Sequence, residues 1–181
     1  EDEFKKMLEI DARNKWSLGM LKNIATDNRS WNDALEYEKK LIKYYPEIKK
    51  RDESKLNYFV AMDYKDKNNE KNYLYYLNKS IKGDYVYSES YLELSSHHID
   101  NTDLAMEYLI QFSKANPSGS VTAFKKIEHI LFDEKRFDDV ESLYIKILDQ
   151  DFNSYAFNRL IDIYLEKNEK DEASELIEKF M

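Results

Sequence analysis

One pattern of aromatic, small and apolar residues returns along this chain at intervals of about 34 residues. In its clearest copy, Trp31 is followed three positions later by Ala34 and then by Leu41, and the segment closes at Pro46. This spacing places the apolar residues on one stripe of a helix, which Pro46 ends because proline cannot continue it. Related segments close at positions 12, 85, 117 and 152, and one more reaches the end of the chain. A repeat of this length indicates an array of similar units.

A second helix precedes each of these segments. Apolar residues recur there at spacings of three and four, as in Leu18, Leu21 and Ala25. The linkers inside each unit are short and polar, as antiparallel neighbouring helices require. Only 3 Gly and 2 Pro occur in 181 residues, so the chain has little of the turn chemistry that a many-stranded sheet needs. The sequence therefore predicts an all-α array of helix hairpins.

An ordered set of aromatic and small residues occurs at residues 31–37 and 40–46, and more loosely in the segment that begins at Phe137. In this pattern the unit resembles the tetratricopeptide repeat (TPR). Two residues depart from the pattern of the family: Glu38 stands where an aromatic residue is preferred, and Lys22 stands where a small one is preferred. The chain also resembles bacterial TPR proteins of cell-envelope assembly, of the lipopolysaccharide assembly protein B type.

The resemblance implies an α-α superhelix, a TPR-like solenoid of about eleven helices over residues 1–181. Its expected parts are the tail helix of a preceding repeat at 1–12 and helix-hairpin repeats at 14–46, 49–85, 88–117, 119–152 and 154–181. The chain has no initiator Met and begins inside an amphipathic pattern. We therefore expect it to be part of a longer protein.

In this family the first helix of each repeat lines a concave groove, so the resemblance implies that first-helix residues not used for packing face a partner. The predicted groove residues are Trp16, Asn23, Tyr58, Met62, Leu92, Ser96, Lys125, His129, Phe132, Tyr155 and Asn158. Large apolar side chains on an exposed face usually mark an interaction site. The alternative, that some of these residues belong to the packed core, stays open because element boundaries are the least exact part of such predictions.

The sequence carries no motif for catalysis or for holding a cofactor or metal ion. His97 and His98 are adjacent, so on a helix their side chains project about 100° apart and do not chelate one ion together. Segments that begin at Asp66 and Asp149 look like calcium loops, but the first lacks the sixth-position Gly and the second has Leu160 in place of the bidentate Glu. We predict no enzymatic activity, no cofactor and no metal site.

The charge and hydropathy of the chain narrow the classes of partner. A net charge of −8 without a Lys- and Arg-rich stripe argues against nucleic acid. No apolar run approaches the ~18 residues of a membrane-spanning helix, so direct membrane insertion is not expected. The absence of Cys is compatible with either the cytoplasm or the periplasm. Compartment, oligomeric state and partner identity stay open.

We expect a non-catalytic scaffold that binds a partner protein or peptide segment in a concave groove, in a setting such as the assembly of bacterial cell-envelope or motility complexes. The alternative is a peptide-sensing regulatory domain attached to an output domain. Groove asparagines that hold a peptide backbone would favour this alternative, and only Asn23 and Asn158 qualify.

Overall fold

The protein is built from helices throughout the part of the chain that the structure, a computed structural model, describes: residues 1–48, 51–150 and 152–180. Within these residues the helices are α1 (Asp2–Ile10), α2 (Lys15–Asp27), α3 (Trp31–Tyr44), α4 (Arg51–Asp66), α5 (Glu70–Ser80), α6 (Glu89–His97), α7 (Thr102–Ala115), α8 (Ser120–Asp133), α9 (Phe137–Gln150), α10 (Ser154–Glu166) and α11 (Lys170–Phe180). A 3-10 turn at Pro117–Gly119 lies between α7 and α8. The predicted all-α fold of about eleven helices is confirmed.

The helices form two compact units, Glu1–Tyr108 and Leu109–Met181, and the boundary falls inside α7. In unit 1, each of α1 to α5 contacts the next helix in the chain, and in unit 2 the same holds for α8 to α10. Contact between successive helices is the packing of a repeat array. None of the described helices is long and apolar enough to cross a membrane.

The predicted division into one tail helix and five hairpins places α1 in 1–12 and one helix pair in each later range. The first residue of the second predicted hairpin, 49, and the last residue of the fifth, 181, lie outside the described residues. That the whole chain forms a single solenoid stays a prediction.

Alanine side chains are buried in the contacts between helices. Ala25 of α2 and Ala34 of α3 belong to one buried cluster, which extends to Leu56 and Val60 of α4. In the other helices, the buried alanines are Ala61, Ala105, Ala123, Ala156 and Ala173. Because a methyl group lets two helix backbones approach closely, the longer apolar side chains on either side interlock around it. Each core therefore spans more than one hairpin.

Four first helices end in the same turn, in which a residue other than glycine takes the left-handed conformation. After α2, Arg29 is the left-handed residue. The N–H of the following residue, Ser30, donates a hydrogen bond of 2.8 Å to the carbonyl oxygen of Ala25, five residues back. This is the Schellman arrangement, which satisfies carbonyl groups that a helix end leaves unpaired. The left-handed residues, with φ of 57°, 53°, 60° and 62°, are Arg29, Asn68, Lys135 and Asn168.

Replacing Lys135 tests the strain in these turns. Lys135→Gly is expected to leave the free energy of unfolding unchanged or raise it by up to about 1 kcal/mol, since glycine adopts positive φ without steric cost. Lys135→Val is expected to lower it by roughly 1–2 kcal/mol, because a β-branched side chain fits this conformation poorly. Chemical denaturation followed by circular dichroism measures both. A valine variant as stable as the glycine variant would contradict this turn geometry.

Ala34→Arg and Pro117→Gly are expected to differ in severity. Ala34 is fully buried between α2 and α3, so a long charged side chain there overpacks the contact and buries a charge, at a cost of several kcal/mol. Pro117 is exposed at the start of a short turn, and its loss is expected to cost about 1 kcal/mol or less. Thermal unfolding of the two variants compares them, and equal shifts in Tm would show that the hairpin contact lies elsewhere.

Candidate functional site

Ion pairs join the neighbouring first helices of unit 1. The Nζ atom of Lys22 in α2 lies 2.9 Å from Oδ2 of Asp52 in α4. The Nζ atom of Lys65 in α4 lies 2.5 Å from Oε2 of Glu93 in α6. Exposed pairs of this kind add little stability, so their main effect is to hold side chains at defined places between the first helices.

Lys22 also reaches a buried carboxylate, Glu38 of the second helix α3. Glu38 is only 1% exposed, and its Oε2 lies 3.1 Å from Lys22 Nζ. Neither oxygen of Glu38 accepts a hydrogen bond within the described residues, so Lys22 compensates it through charge. Burial raises the pKa of Glu38 above its ordinary value, and Lys22 offsets only part of this effect. Burial alone would lower the pKa of Lys22, but Asp52 and Glu38 together raise it.

A cleft of about 200 Å³ lies between α2 and α4, next to this cluster. One wall is aromatic: the rings of Trp31 and Phe59 stack with centroids 4.5 Å apart. The cleft is also lined by the exposed side chains of Asn23 and Lys55. Lys55 forms no ion pair within the described residues, and its Nζ lies 5.9 Å from the centre of the Phe59 ring. The cleft thus combines an apolar surface, an amide and a positive charge that forms no ion pair within the described residues.

A second, more polar cleft of about 420 Å³ lies where α4, α5 and α6 meet. At its centre, Glu93 accepts hydrogen bonds from Lys65 and from the hydroxyl of Tyr73, the latter at 3.1 Å. Burial, together with the charge of Glu93, raises the pKa of Tyr73. His97 lines the same cleft with its Nε2 3.5 Å from Glu70. Its charged groups are therefore mostly paired with one another.

Unit 2 has its own buried carboxylate, Glu128 of α8. Its Oε1 accepts a hydrogen bond of 3.0 Å from Arg159 of α10, and its Oε2 accepts one of 3.0 Å from the hydroxyl of Tyr155. The neighbouring Tyr144 is fully buried, and burial followed by the charge of Glu128 raises its pKa. As in unit 1, a charged pair joins two successive first helices.

The eleven predicted groove residues fall into two groups. None of them is fully buried. The exposed ones, led by Trp16 at 60% and Phe132 at 43%, are Trp16, Asn23, Ser96, Lys125, His129, Phe132 and Asn158. The half-buried ones are Tyr58, Met62, Leu92 and Tyr155. Exposure alone makes the first group available to a partner.

Packing accounts for most of the half-buried group. Tyr58 and Met62 lie against the core cluster of unit 1 that includes Ala61 and Leu94. Tyr155 donates its hydroxyl hydrogen bond to Glu128. These three side chains therefore take part in folding, and truncating them would disturb the core as well as any partner contact.

In unit 1, two of the predicted residues line different clefts. Asn23 lines the cleft between α2 and α4, and Ser96 lines the polar cleft at α6. Trp16 meets Phe4 of α1 edge to face, and Phe132 contacts Phe137 of α9.

Sequence reasoning missed the residues that shape the α2/α4 cleft. Trp31 belongs to the packing pattern of the repeat, so nothing in its spacing indicates that it also forms a cleft wall, and Phe59 lies outside that pattern. Lys22 did carry a signal, because it stands where the repeat pattern prefers a small residue. Its partner Glu38 was the other departure from the pattern.

Within the described residues, the fold is an all-α array of helix hairpins in which most successive helices contact each other. Among solved structures the chain is similar to MamA, with 21% identity over 81% of this chain and 83% of that chain and a TM-score of 0.48. It is also similar to YrrB, described as a TPR protein with an unusual peptide-binding site, with 18% identity over 97% of this chain and 89% of that chain and a TM-score of 0.48. No protein-family model and no curated protein matches the chain. Likenesses this distant carry no argument about function.

The raised pKa of Glu38 predicts how stability depends on pH. The folded state holds the Glu38 proton more tightly than the unfolded state does, so this stabilisation is complete below the unfolded pKa of about 4.5. It is lost as the pH rises through the raised folded pKa. The free energy of unfolding of the wild type, relative to that of Glu38→Gln, is therefore expected to be larger at low pH than at neutral pH.

Chemical denaturation of both proteins at a series of pH values measures this difference. Titrations of groups that do not interact with Glu38 cancel in this difference, because they are the same in both proteins. If the wild type gained stability over Glu38→Gln as the pH rises, Lys22 would outweigh burial at Glu38.

Proposed function

We propose that this protein is a non-catalytic scaffold that binds a segment of a partner protein along its first helices. In unit 1, the contact is centred on the cleft between α2 and α4. The observation that carries the proposal is the combination of groups in this cleft: the stacked rings of Trp31 and Phe59, the amide of Asn23 and the unpaired Lys55. Apolar walls with a few polar groups that fix orientation are typical of binding sites.

The chemistry of the cleft supports a protein segment as the occupant. The aromatic wall can take an apolar side chain, Asn23 can hydrogen-bond a peptide backbone, and Lys55 can pair with a carboxylate of the partner. The net charge of −8 supports a protein over a nucleic acid, since a phosphate backbone would be repelled. The ion pair between Lys22 and Asp52 supports the site by fixing α2 against α4 before a partner arrives.

Charge- and amide-deleting substitutions test this site without disturbing the core. The double variant Asn23→Ala with Lys55→Ala is expected to weaken partner binding by about tenfold or more, because both side chains are exposed and line the cleft. The partner is first recovered from the native cell by photo-crosslinking from position 26, which also lines the cleft. It is then purified, and its affinity for each variant is measured by calorimetry.

The matched control is Asn32→Ala with Lys39→Ala, which removes the same two residue types from exposed positions of the second helix α3. This variant is expected to bind as the wild type does. Equal effects of the two double variants, or full binding by the first, would move the contact away from the α2/α4 cleft. Circular dichroism confirms that both variants are folded.

A further inference from the structure

A third cleft, in unit 2, shares no lining residue with the cleft between α2 and α4. It is a cavity of about 420 Å³ where the second helices α7 and α9 meet the turn into α8 and the residues before α10. Its apolar lining consists of Ile110, Pro117, Phe124, Leu143, Ile147 and Phe152. A volume of this size lies at the lower end of the range for ligand sites, which suits one or two side chains of a partner.

The lining of this cleft combines a buried floor with exposed walls. Phe124 and Leu143 are buried and belong to the core of unit 2, whereas Ile110 and Ile147 are half-buried. Phe152 is 54% exposed, although its ring also contacts Phe157 and Phe180. A large apolar side chain placed in the cleft would remove these exposed apolar surfaces from water.

The mouth of the cleft is held in shape by the turn between α7 and α8. The side chain of Asn116 accepts hydrogen bonds from Gly119 N at 3.2 Å and from the hydroxyl of Ser118 at 2.7 Å. Gly119 lies so close to Phe112 that a Cβ atom there would stand 2.8 Å from the ring. The turn therefore packs directly on α7, and Pro117 is presented to the cleft in a fixed position. A pre-formed cleft lowers the entropic cost of binding.

The charged side chains that line this cleft are both positive. Lys114 and Lys146 are the charged side chains among its described lining residues, and both are exposed. Neither forms an ion pair within the described part of the chain. By contrast, the α2/α4 cleft includes Asp52, and the cleft at α6 includes Glu70 and Glu93. On a chain with a net charge of −8, this is a local positive site next to an apolar surface.

We propose that this cleft binds a partner segment in which one aromatic or large aliphatic side chain is flanked by carboxylates. The apolar side chain enters between Ile110, Ile147 and Phe152, and the flanking carboxylates pair with Lys114 and Lys146. This surface is separate from the first-helix site, so the two proposals stand or fall independently.

Nuclear magnetic resonance with the ¹⁵N-labelled protein tests the proposal through three short synthetic peptides. The first has a central Trp flanked by Asp on both sides, the second has the same Trp flanked by Lys, and the third keeps the Asp flanks with Ser in place of Trp. The first peptide is expected to shift the amide signals around Lys114, Lys146 and Phe152 on titration. The second and third are expected to bind about tenfold or more weakly.

Charge reversal provides the second arm of the test. Lys114→Glu with Lys146→Glu is expected to abolish the preference for the Asp-flanked peptide over the Lys-flanked one. The control, Lys126→Glu with Lys170→Glu, makes the same change in net charge at exposed positions outside the cleft and is expected to keep the preference. Circular dichroism of both variants verifies the fold.

Three results would overturn the proposal: no signal shifts with the Asp-flanked peptide up to millimolar concentration, shifts that map to other helices, or an unchanged preference after charge reversal at Lys114 and Lys146. Shifts centred on α2 and α4 would support the first-helix site and exclude the cleft of unit 2 for this class of segment.

Discussion

The close approach of paired helices at alanine residues is the constraint on which the rest of the structure depends. Small side chains at a helix contact allow the two backbones to approach closely. At Ala25 and Ala34 the backbones of α2 and α3 come close, so the flanking apolar residues can interlock with each other and with α4. Each hairpin then presents an apolar face to the next one, which is why packing proceeds along the chain.

Side chains of the first helices also form ion pairs within the fold. Charged residues on successive first helices pair with one another, as Lys22 does with Asp52 and Glu128 does with Arg159. In each pair the two charges compensate each other within the fold, so they are less available to a partner. Lys55, by contrast, forms no ion pair within the described residues, and its Nζ lies 5.9 Å from the centre of the Phe59 ring. Counting charges along the sequence would overestimate what a partner can use.

The helices could be predicted from the sequence because a buried stripe must recur every three or four residues, and the confirmed all-α fold follows from that. The turns could not. Lys135 takes a left-handed conformation because two hydrogen bonds close the end of α8, whereas a sequence search for such turns looks for glycine.

The candidate site was only partly predictable. A first helix packs on two sides, so spacing alone does not separate half-buried Tyr58 and Met62 from exposed Asn23.

The two departures from the repeat pattern, Lys22 and Glu38, have a common explanation. A long cation at a position meant for a small residue would be costly alone, and so would a buried carboxylate at a position meant for an aromatic ring. Together they lie 3.1 Å apart and each compensates the other. Asp52 of α4 pairs with the same lysine. The Lys22–Glu38 pair is therefore also connected to the hairpin that begins with α4. Lys22 and Asp52 of this charged cluster line the α2/α4 cleft beside its aromatic wall, so the cluster contributes to the shape of the cleft as well as to the packing of the helices.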